Sequence, residues 1–186
     1  MLKKMIYWQY LIWNMLMLRS CKKGSNFKIY GPILIKNKGA ISIGKNWKVN
    51  SHKWANVIGG DQRTSIVVLR GGVLRIGDNV GMSNSAIFCA ESVTIDSNVM
   101  IGGSCKIWDT DFHALDSSTR EVTPNGGYKT APIHIKSNAF IGAFSIILKG
   151  VTIGERSIVG AGSVVTKSIP DGEIWAGNPA KFIRNV

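Results

Sequence analysis

The sequence predicts an all-β fold: short parallel strands wound into a stack of coils, with a helix at the N-terminal end and one protruding loop. Three observations predict it. A branched apolar residue returns at every sixth position, glycine is abundant while charge is sparse, and the spacing breaks over one long polar stretch.

The period is cleanest towards the C-terminus. Ile135, Ile141, Ile147, Ile153, Val159 and Val165 share one frame, and Ala139, Ser145, Val151, Ser157 and Ser163 sit four residues after the first five of them. Gly142, Gly154 and Gly160 directly follow their apolar partners. Ile95, Ile101 and Ile107, with Val99 and Cys105, keep the same rule, as do Ile76-Gly77 with Val80 and, more weakly, Ile43-Gly44. A period of six matches neither a helix nor a long alternating strand. It fits short flat strands that each deliver one large residue inward, with a small residue at the turn. Glycines serve where the corner needs positive φ or close backbone approach. Stacked coils then bury a continuous apolar column that no single repeat could bury.

Composition agrees. A chain of 186 residues suits one domain, or one domain with a short appendage. With 21 Gly, 5 Pro and 18% charged residues it is neither disordered nor collagen-like. The formal charge of +12 raises the question of nucleic acid. No helix-turn-helix pattern, zinc spacing or RNP-type aromatic motif accompanies it, so no nucleic-acid partner is expected. A basic enzyme that handles anionic cofactors, or sits near anionic lipid, accounts for the charge better. Cys21, Cys89 and Cys105 are an odd number without a CxxC pair, which suits a reducing compartment. Cys89 and Cys105 fall on the repeat and read as core filler.

Residues 1–24 are read as an N-terminal helical unit and 25–186 as the coil domain, with a loop at about 108–134 and a tail at 170–186. After Lys3 and Lys4 an aromatic-rich apolar run extends to Leu18. Gln9 and Asn14 interrupt it, and Arg19 spoils both a signal-peptide cleavage site and a lipobox ahead of Cys21. The run is shorter than the ~20 apolar residues of a membrane span. Two readings stand for residues 1–19: a cap over the open end of the stack, or an interfacial helix with Trp8, Tyr10 and Trp13 at headgroup level. One helix can serve both. The expected location is the cytoplasm, with peripheral attachment to the inner face of the cytoplasmic membrane under the second reading.

From Ile107 to Ile135 is 28 residues, four more than a whole number of hexapeptides. The interruption reads Trp108-Asp109-Thr110-Asp111-Phe112-His113-Ala114-Leu115-Asp116, then a polar run through Pro124-Asn125-Gly126-Gly127. One long loop with histidine and carboxylates on a rigid scaffold is where chemistry is expected. Imidazole titrates nearest neutrality, so His113 is the candidate general base, with Asp109 and Asp111 as candidates to fix its tautomer. His52 lies in no motif, and His134 falls on an exposed strand position.

The DTDFHALD stretch, the clean repeats after it and the ending Gly177-Asn178-Pro179-Ala180-Lys181 resemble the hexapeptide-repeat acetyltransferases. Within them the likeness is to the sugar O-acetyltransferase group (galactoside, maltose, nodulation and exopolysaccharide or colanic-acid types), over residues 70–186. The resemblance implies a left-handed coil, acetyl-CoA as cosubstrate, no metal, and a homotrimer with its active site between subunits. It implies direct transfer to a saccharide hydroxyl, on a cell-surface, capsular or exopolysaccharide precursor that is free or lipid-linked. The backbone N–H of Ala143, after Gly142, matches the oxyanion contact. Ala161, Thr166 and Lys167 match the pantetheine and nucleotide groove, and Lys181 and Arg184 the basic tail near the CoA phosphates. On the acceptor side the group's asparagine aligns near Met82, which leaves Ser83 and Asn84 as candidates. The group's N-terminal carboxylate has no counterpart, so the acceptor differs from a simple galactoside or is held differently.

Other functions of the same repeat stay in view. A serine acetyltransferase carries a long helical N-terminal domain, for which nineteen residues are too few; an antibiotic acetyltransferase fits the length. A γ-class carbonic anhydrase needs a close histidine pair that His52, His113 and His134 do not form. A non-catalytic hexapeptide scaffold has no reason to keep the DTDFH loop.

Overall fold

The computed structural model describes residues 2–124 and 126–186, with side-chain surroundings from Gln9 onward. Asn125 of the loop, and the side chains of Lys3, Lys4 and Trp8 from the interfacial reading, lie outside the described residues.

The chain winds as a left-handed parallel β-helix of triangular section, and strands three apart in sequence become neighbours in space. Face A carries Lys22–Lys23, Ala40–Ile43, Val73–Ile76, Ser92–Ile95, Ile133–Ile135 and Thr152–Ile153. Face B carries Lys28–Tyr30, Lys48–Asn50, Gly81–Ser83, Met100–Gly103, Phe140–Ile141, Ile158–Val159 and the C-terminal strands Glu173–Gly177 and Ala180–Asn185. Face C carries Leu34–Asn37, Ser65–Val68, Ala86–Cys89, Lys106–Trp108, Ile146–Leu148 and Val164–Val165. Among the described strands of the three faces all pairings are parallel except the last, where Glu173–Gly177 and Ala180–Asn185 form an antiparallel hairpin.

The six-residue period becomes three inward columns. Ile43, Ile76, Ile95, Ile135 and Ile153 stack in register on face A. Ile35, Ile66, Ile87, Ile107, Ile147 and Val165 do so on face C. Each fully buried isoleucine contributes on the order of 1.5–3 kcal/mol. The position four residues on sits inside the corner, and at the A–B corner it tapers through Trp47, Val80, Val99, Ala139 and Ser157.

At the B–C corner this inner position is a hydroxyl or a thiol with a bonding role. Ser85 Oγ donates to the Gly102 carbonyl (2.9 Å), the Cys105 thiol to that of Gly142 (3.2 Å), and Ser145 and Ser163 to that of Gly160 (3.1 and 2.6 Å). Carbonyls turned inward at a corner would otherwise be unsatisfied, so the small polar residue of the repeat is a bonding requirement as well as a steric one.

The N-terminal end is closed by helix α1 (Leu2–Met17), followed by a single 3₁₀ turn, Leu18–Ser20. Buried Asn14 bonds the first coil on both sides: its Oδ1 accepts from Ile33 N and its Nδ2 donates to Gly31 O, each at 3.0 Å. Trp13 Nε1 donates to Ile33 O at 2.6 Å, and Leu18 joins the core. The polar residue that interrupts the apolar run is thus the group that pins the cap. No described helix is long and apolar enough to cross a membrane.

Candidate active site

The loop expected to hold the chemistry leaves the prism after Trp108 and re-enters at Ile133, at the corner between faces C and A. Its base is closed by an antiparallel bridge between Thr110 and Thr130, flanked by Asp111 N to Lys129 O (3.1 Å) and Ala131 N to Asp109 O (3.1 Å). Phe112, in the left-handed region at φ 65°, packs on Phe88 and Trp108 of face C, with ring centroids 4.7 and 5.4 Å away. This fixes the backbone one residue before His113.

The polar run that follows contains a short helix, α2 (Ser117–Val122), capped by Asp116, whose carboxylate accepts from Thr119 N (2.7 Å) and Ser118 Oγ (2.6 Å). Those bonds, the Ser118 hydroxyl first, hold the Asp116 carboxyl below the usual range. Arg120 from α2 donates to the carbonyls of Ala114 and Leu115 (2.8 and 2.6 Å) and so clamps the turn beside His113. Ala114 is buried, and Gly127 is needed above it: a Cβ there would lie 2.6 Å from Thr119 Cγ2 and 3.3 Å from Ala114 Cβ.

The ring of His113 is exposed, and its Nδ1 lies 2.7 Å from the carbonyl oxygen of Pro124. A carbonyl only accepts, so Nδ1 carries the proton and the lone pair sits on Nε2, directed away from that contact. This corrects the expectation that Asp109 or Asp111 orients the ring. Asp109 is fully buried, and its carboxylate accepts three backbone N–H groups of the preceding coil: Ala90, Glu91 and Ser92, at 2.7, 2.8 and 2.8 Å. It anchors the start of the loop to the corner beneath. Asp111 pairs with Lys149 Nζ at 2.5 Å across the base of the loop.

Gly142, Ala143 and Ala161 come together at the B–C corner. Register along face B stacks Gly102, Gly142, Gly160 and Ala176 in one row, with Gly103, Ala143, Ala161 and Gly177 in the next. The carbonyls of Gly142 and Gly160 are held inward by Cys105, Ser145 and Ser163, and in a trans peptide the following N–H points the opposite way. The amides of Ala143 and Ala161 therefore point outward. Glycine is required beside them: a Cβ at Gly102 would sit 2.5 Å from Ala143 N, and one at Gly142 2.5 Å from Ala161 N. Gly142 itself is buried and acts through its lack of a side chain.

A cavity of about 430 Å³ lies on face B against this corner, with Asn50, Asn56, Gly59, Ser83, Gly102 and Ala143 in its walls. Ser83 faces it and accepts from Asn50 Nδ2 at 3.0 Å. Asn84 does not, which corrects its place among the acceptor-facing candidates. It is a buried corner residue at φ 47°, with Nδ2 bonded to Gln62 O. Thr166 and Lys167 are exposed just beyond Val164–Val165, and Lys181 and Arg184 are exposed on the C-terminal hairpin.

Several contributors carried no signal in the sequence. Pro124 acts through its carbonyl, and Cys105 through a bond to another coil. The segment 51–64 is a second, smaller interruption that packs over the corner, with Ser104 Oγ donating to Gly59 O (2.7 Å) and Lys106 Nζ to Gln62 Oε1 (2.6 Å). Asn50, which bonds Ser83, lies just before it. His134 pairs with Asp96 (2.8 Å) on face A, and His52 stacks near Trp54 at the capped end, both away from the loop. Among the described residues no group of three or more His, Cys, Asp or Glu is placed to hold a metal ion.

Residues 132–167 match the family model described as bacterial transferase hexapeptide (six repeats). The chain is 38% identical over 117 residues to galactoside O-acetyltransferase of Escherichia coli, covering 62% of this chain and 56% of that one. It is 30% identical over 169 residues to an acetyltransferase-like protein of Mycobacterium tuberculosis, covering 86% and 54%. It spans between 32% and 56% of the length of the curated relatives it matches. Among solved structures, a galactoside acetyltransferase in complex with coenzyme A superposes with TM-score 0.59 at 28% identity, covering 88% of this chain and 64% of that one. The N-acyltransferase AntD of Bacillus cereus superposes with TM-score 0.70 at 23% identity, covering 92% and 88%, and shares the fold.

By fold and repeat, the chain is a left-handed β-helix of hexapeptide repeats. Its likeness to the hexapeptide-repeat acetyltransferases, expected from the DTDFH loop and the tail, holds in sequence, in family model and in fold.

Proposed function

We propose that the chain is an acetyl-CoA-dependent O-acetyltransferase that acts on a saccharide hydroxyl, with His113 as general base. One observation carries the reading: an exposed imidazole with Nδ1 fixed on the Pro124 carbonyl and the Nε2 lone pair left for a proton. The similar galactoside acetyltransferases favour a sugar acceptor, and a cell-surface or exopolysaccharide precursor fits the absence of the galactoside-type carboxylate.

The corner residues fit a thioester cosubstrate. The outward amides of Ala143 and Ala161 lie in one row, bared by Gly102 and Gly142, and suit the carbonyls of an extended pantetheine arm. Lys167, Lys181 and Arg184 supply positive charge at the same end of the stack for its phosphates. Acetyl-CoA supplies the activated acyl carbon. His113 Nε2 takes the proton of the acceptor hydroxyl as that oxygen attacks the acyl carbon, and the proton passes from it to the departing sulfur as the C–S bond breaks and CoA leaves as the free thiol. The Ala143 N–H lies where the carbonyl oxygen becomes negative, and a donor fixed beforehand is worth most there. Ser83, held by Asn50, is the polar group on the acceptor side. The reading needs no covalent acyl-enzyme.

A homotrimer completes the arrangement. The residues that line the cavity under Ser83 and Ala143 include no histidine, and the His113 loop leaves the prism at a different corner. A neighbouring copy that lays its loop along this groove brings the two halves together. The test is release of free thiol from acetyl-CoA across a panel of sugars, nucleotide sugars, serine and aminoglycosides. Release with a saccharide only is the expected result. Release with serine or an antibiotic reassigns the acceptor, and no release with any of them favours a scaffold.

A further inference from the structure

The positive charge of this protein is concentrated at one end. Residues 1–60 contain 11 Lys or Arg and no Asp or Glu, whereas residues 61–186 contain 12 Lys or Arg against 11 Asp or Glu. Nearly the whole net charge of +12 therefore belongs to α1 and the first coils. The cations are arranged as a collar around all three faces: Lys22 and Lys23 on face A, Lys28 on face B and Lys36 on face C, each on the outermost strand of its sheet, and each exposed. Among the described residues none of them meets a carboxylate.

The same end carries exposed apolar surface. α1 lies across the open coil with Trp13 and Asn14 bonded down onto Gly31 and Ile33, and the opposite stripe faces outward: Leu11, Ile12, Met15 and Leu16 are 41, 58, 63 and 56% exposed. These positions are spaced i, i+1, i+4 and i+5, which places them side by side on one helix face. Leu11 and Met15 also line an apolar groove of about 580 Å³ beside the helix, with Tyr10, Phe27 and Tyr30. An apolar ridge ringed by unpaired lysines complements a surface that is apolar beneath and anionic at the headgroups.

We infer that the α1-capped end docks onto an anionic lipid bilayer, with Leu11, Ile12, Met15 and Leu16 in the headgroup–acyl boundary and the lysine collar against the phosphates. The β-helix axis then stands off the membrane. The groove of Ala143 and Ala161 runs along that axis, so its open side remains accessible from the aqueous phase. The inference goes beyond the proposed acetyl transfer and needs no catalytic step.

The test is co-sedimentation of the full chain with vesicles of phosphatidylcholine alone or with phosphatidylglycerol included. Binding is expected on the phosphatidylglycerol vesicles only, weakening as salt is raised. Ile12→Asp with Leu16→Asp, and separately Lys22→Glu with Lys23→Glu, are each expected to lower partitioning about tenfold or more with an unchanged Tm. Equal binding to neutral vesicles, no binding to either, or full binding by the charge-reversed variant would overturn the inference. So would a change of oligomeric state in Ile12→Asp/Leu16→Asp with vesicle binding intact, which would give the ridge to a second copy. Retention on duplex DNA without vesicle binding would assign the collar to nucleic acid.

Discussion

The carbonyl of Pro124 stands 2.7 Å from Nδ1 of His113, eleven residues away across the loop. A backbone acceptor fixes the tautomer as a carboxylate would, but adds no full negative charge beside the ring. Under the proposed mechanism, the dipole of the Pro124 carbonyl is what steadies the imidazolium as the proton moves. Nitrogen-detected NMR on the labelled protein is expected to show His113 as the Nδ1–H tautomer at neutral pH. The Nε2–H form would remove the basis for its role.

Replacement of the ring tests that role directly. His113→Ala is expected to cut kcat by ~10²–10⁴ while KM for acetyl-CoA stays within a few-fold, because the proposed mechanism gives the residue a proton to move and no part in holding the pantetheine arm or the phosphates. Turnover within a factor of a few of the parent would remove His113 from the chemistry.

Asp109 separates anchoring from catalysis. Its buried carboxylate accepts three N–H groups, and an amide in its place turns a donor towards one of them. Asp109→Asn is expected to cost about 2–4 kcal/mol of stability, read as a fall in Tm. Turnover per folded molecule, measured well below that Tm, is expected to remain near the parent value. Lost turnover with unchanged Tm would return Asp109 to the catalytic group.

How far the sequence reached follows from which contacts are periodic. Ile135, Ile141 and Ile147 declare their columns because each repeats its own environment six residues on. The early coils are harder to see. Trp47 fills a corner that smaller residues hold later, and the segment 51–64 separates Val49 from Ile66. His113 stands out in the sequence by its place in the long break, whereas its contact with the Pro124 carbonyl does not, since any residue type can offer a carbonyl. Asp109 and Asn84 serve contacts that their place in the sequence does not suggest, for a shared reason. Their partners lie at Ala90–Ser92 and Gln62, some twenty residues back, and adjacency in sequence says nothing about contacts between stacked coils. Helix α2 did have a signal, the Asp116 cap with Thr119 three residues on.

Cys89 links packing to alkaline stability. Burial, with the Asp109 carboxylate adding to it, pushes this thiol from the ordinary 9.0 up to about 12. The unfolded chain therefore loses the proton first as pH rises. A group with a raised folded value lends stability that is complete below pH 9 and lost as pH climbs towards 12. Tm of the parent is expected to fall more steeply above pH 9 than that of Cys89→Ala, which lacks the titrating group. Parallel Tm curves across that window would dismiss the link.

Cys105 tests whether the inner corner residue sets the direction of the outward amide. Its thiol bonds the Gly142 carbonyl, and that peptide plane aims the Ala143 N–H. Cys105→Ala removes the donor and frees the plane to rock, whereas Cys105→Ser keeps a donor of the kind that Ser85 and Ser145 supply at equivalent corners. Loss of one oxyanion donor costs ~10²–10³ in kcat, and a donor that is only misaimed is expected to cost about tenfold. The serine variant is expected to recover most of that loss. KM for acetyl-CoA is expected to change little in either variant, since the proposed binding mode also uses the Ala161 amide. If alanine and serine lower kcat equally, Cys105 is filler in the core and the amide is aimed by the coil alone.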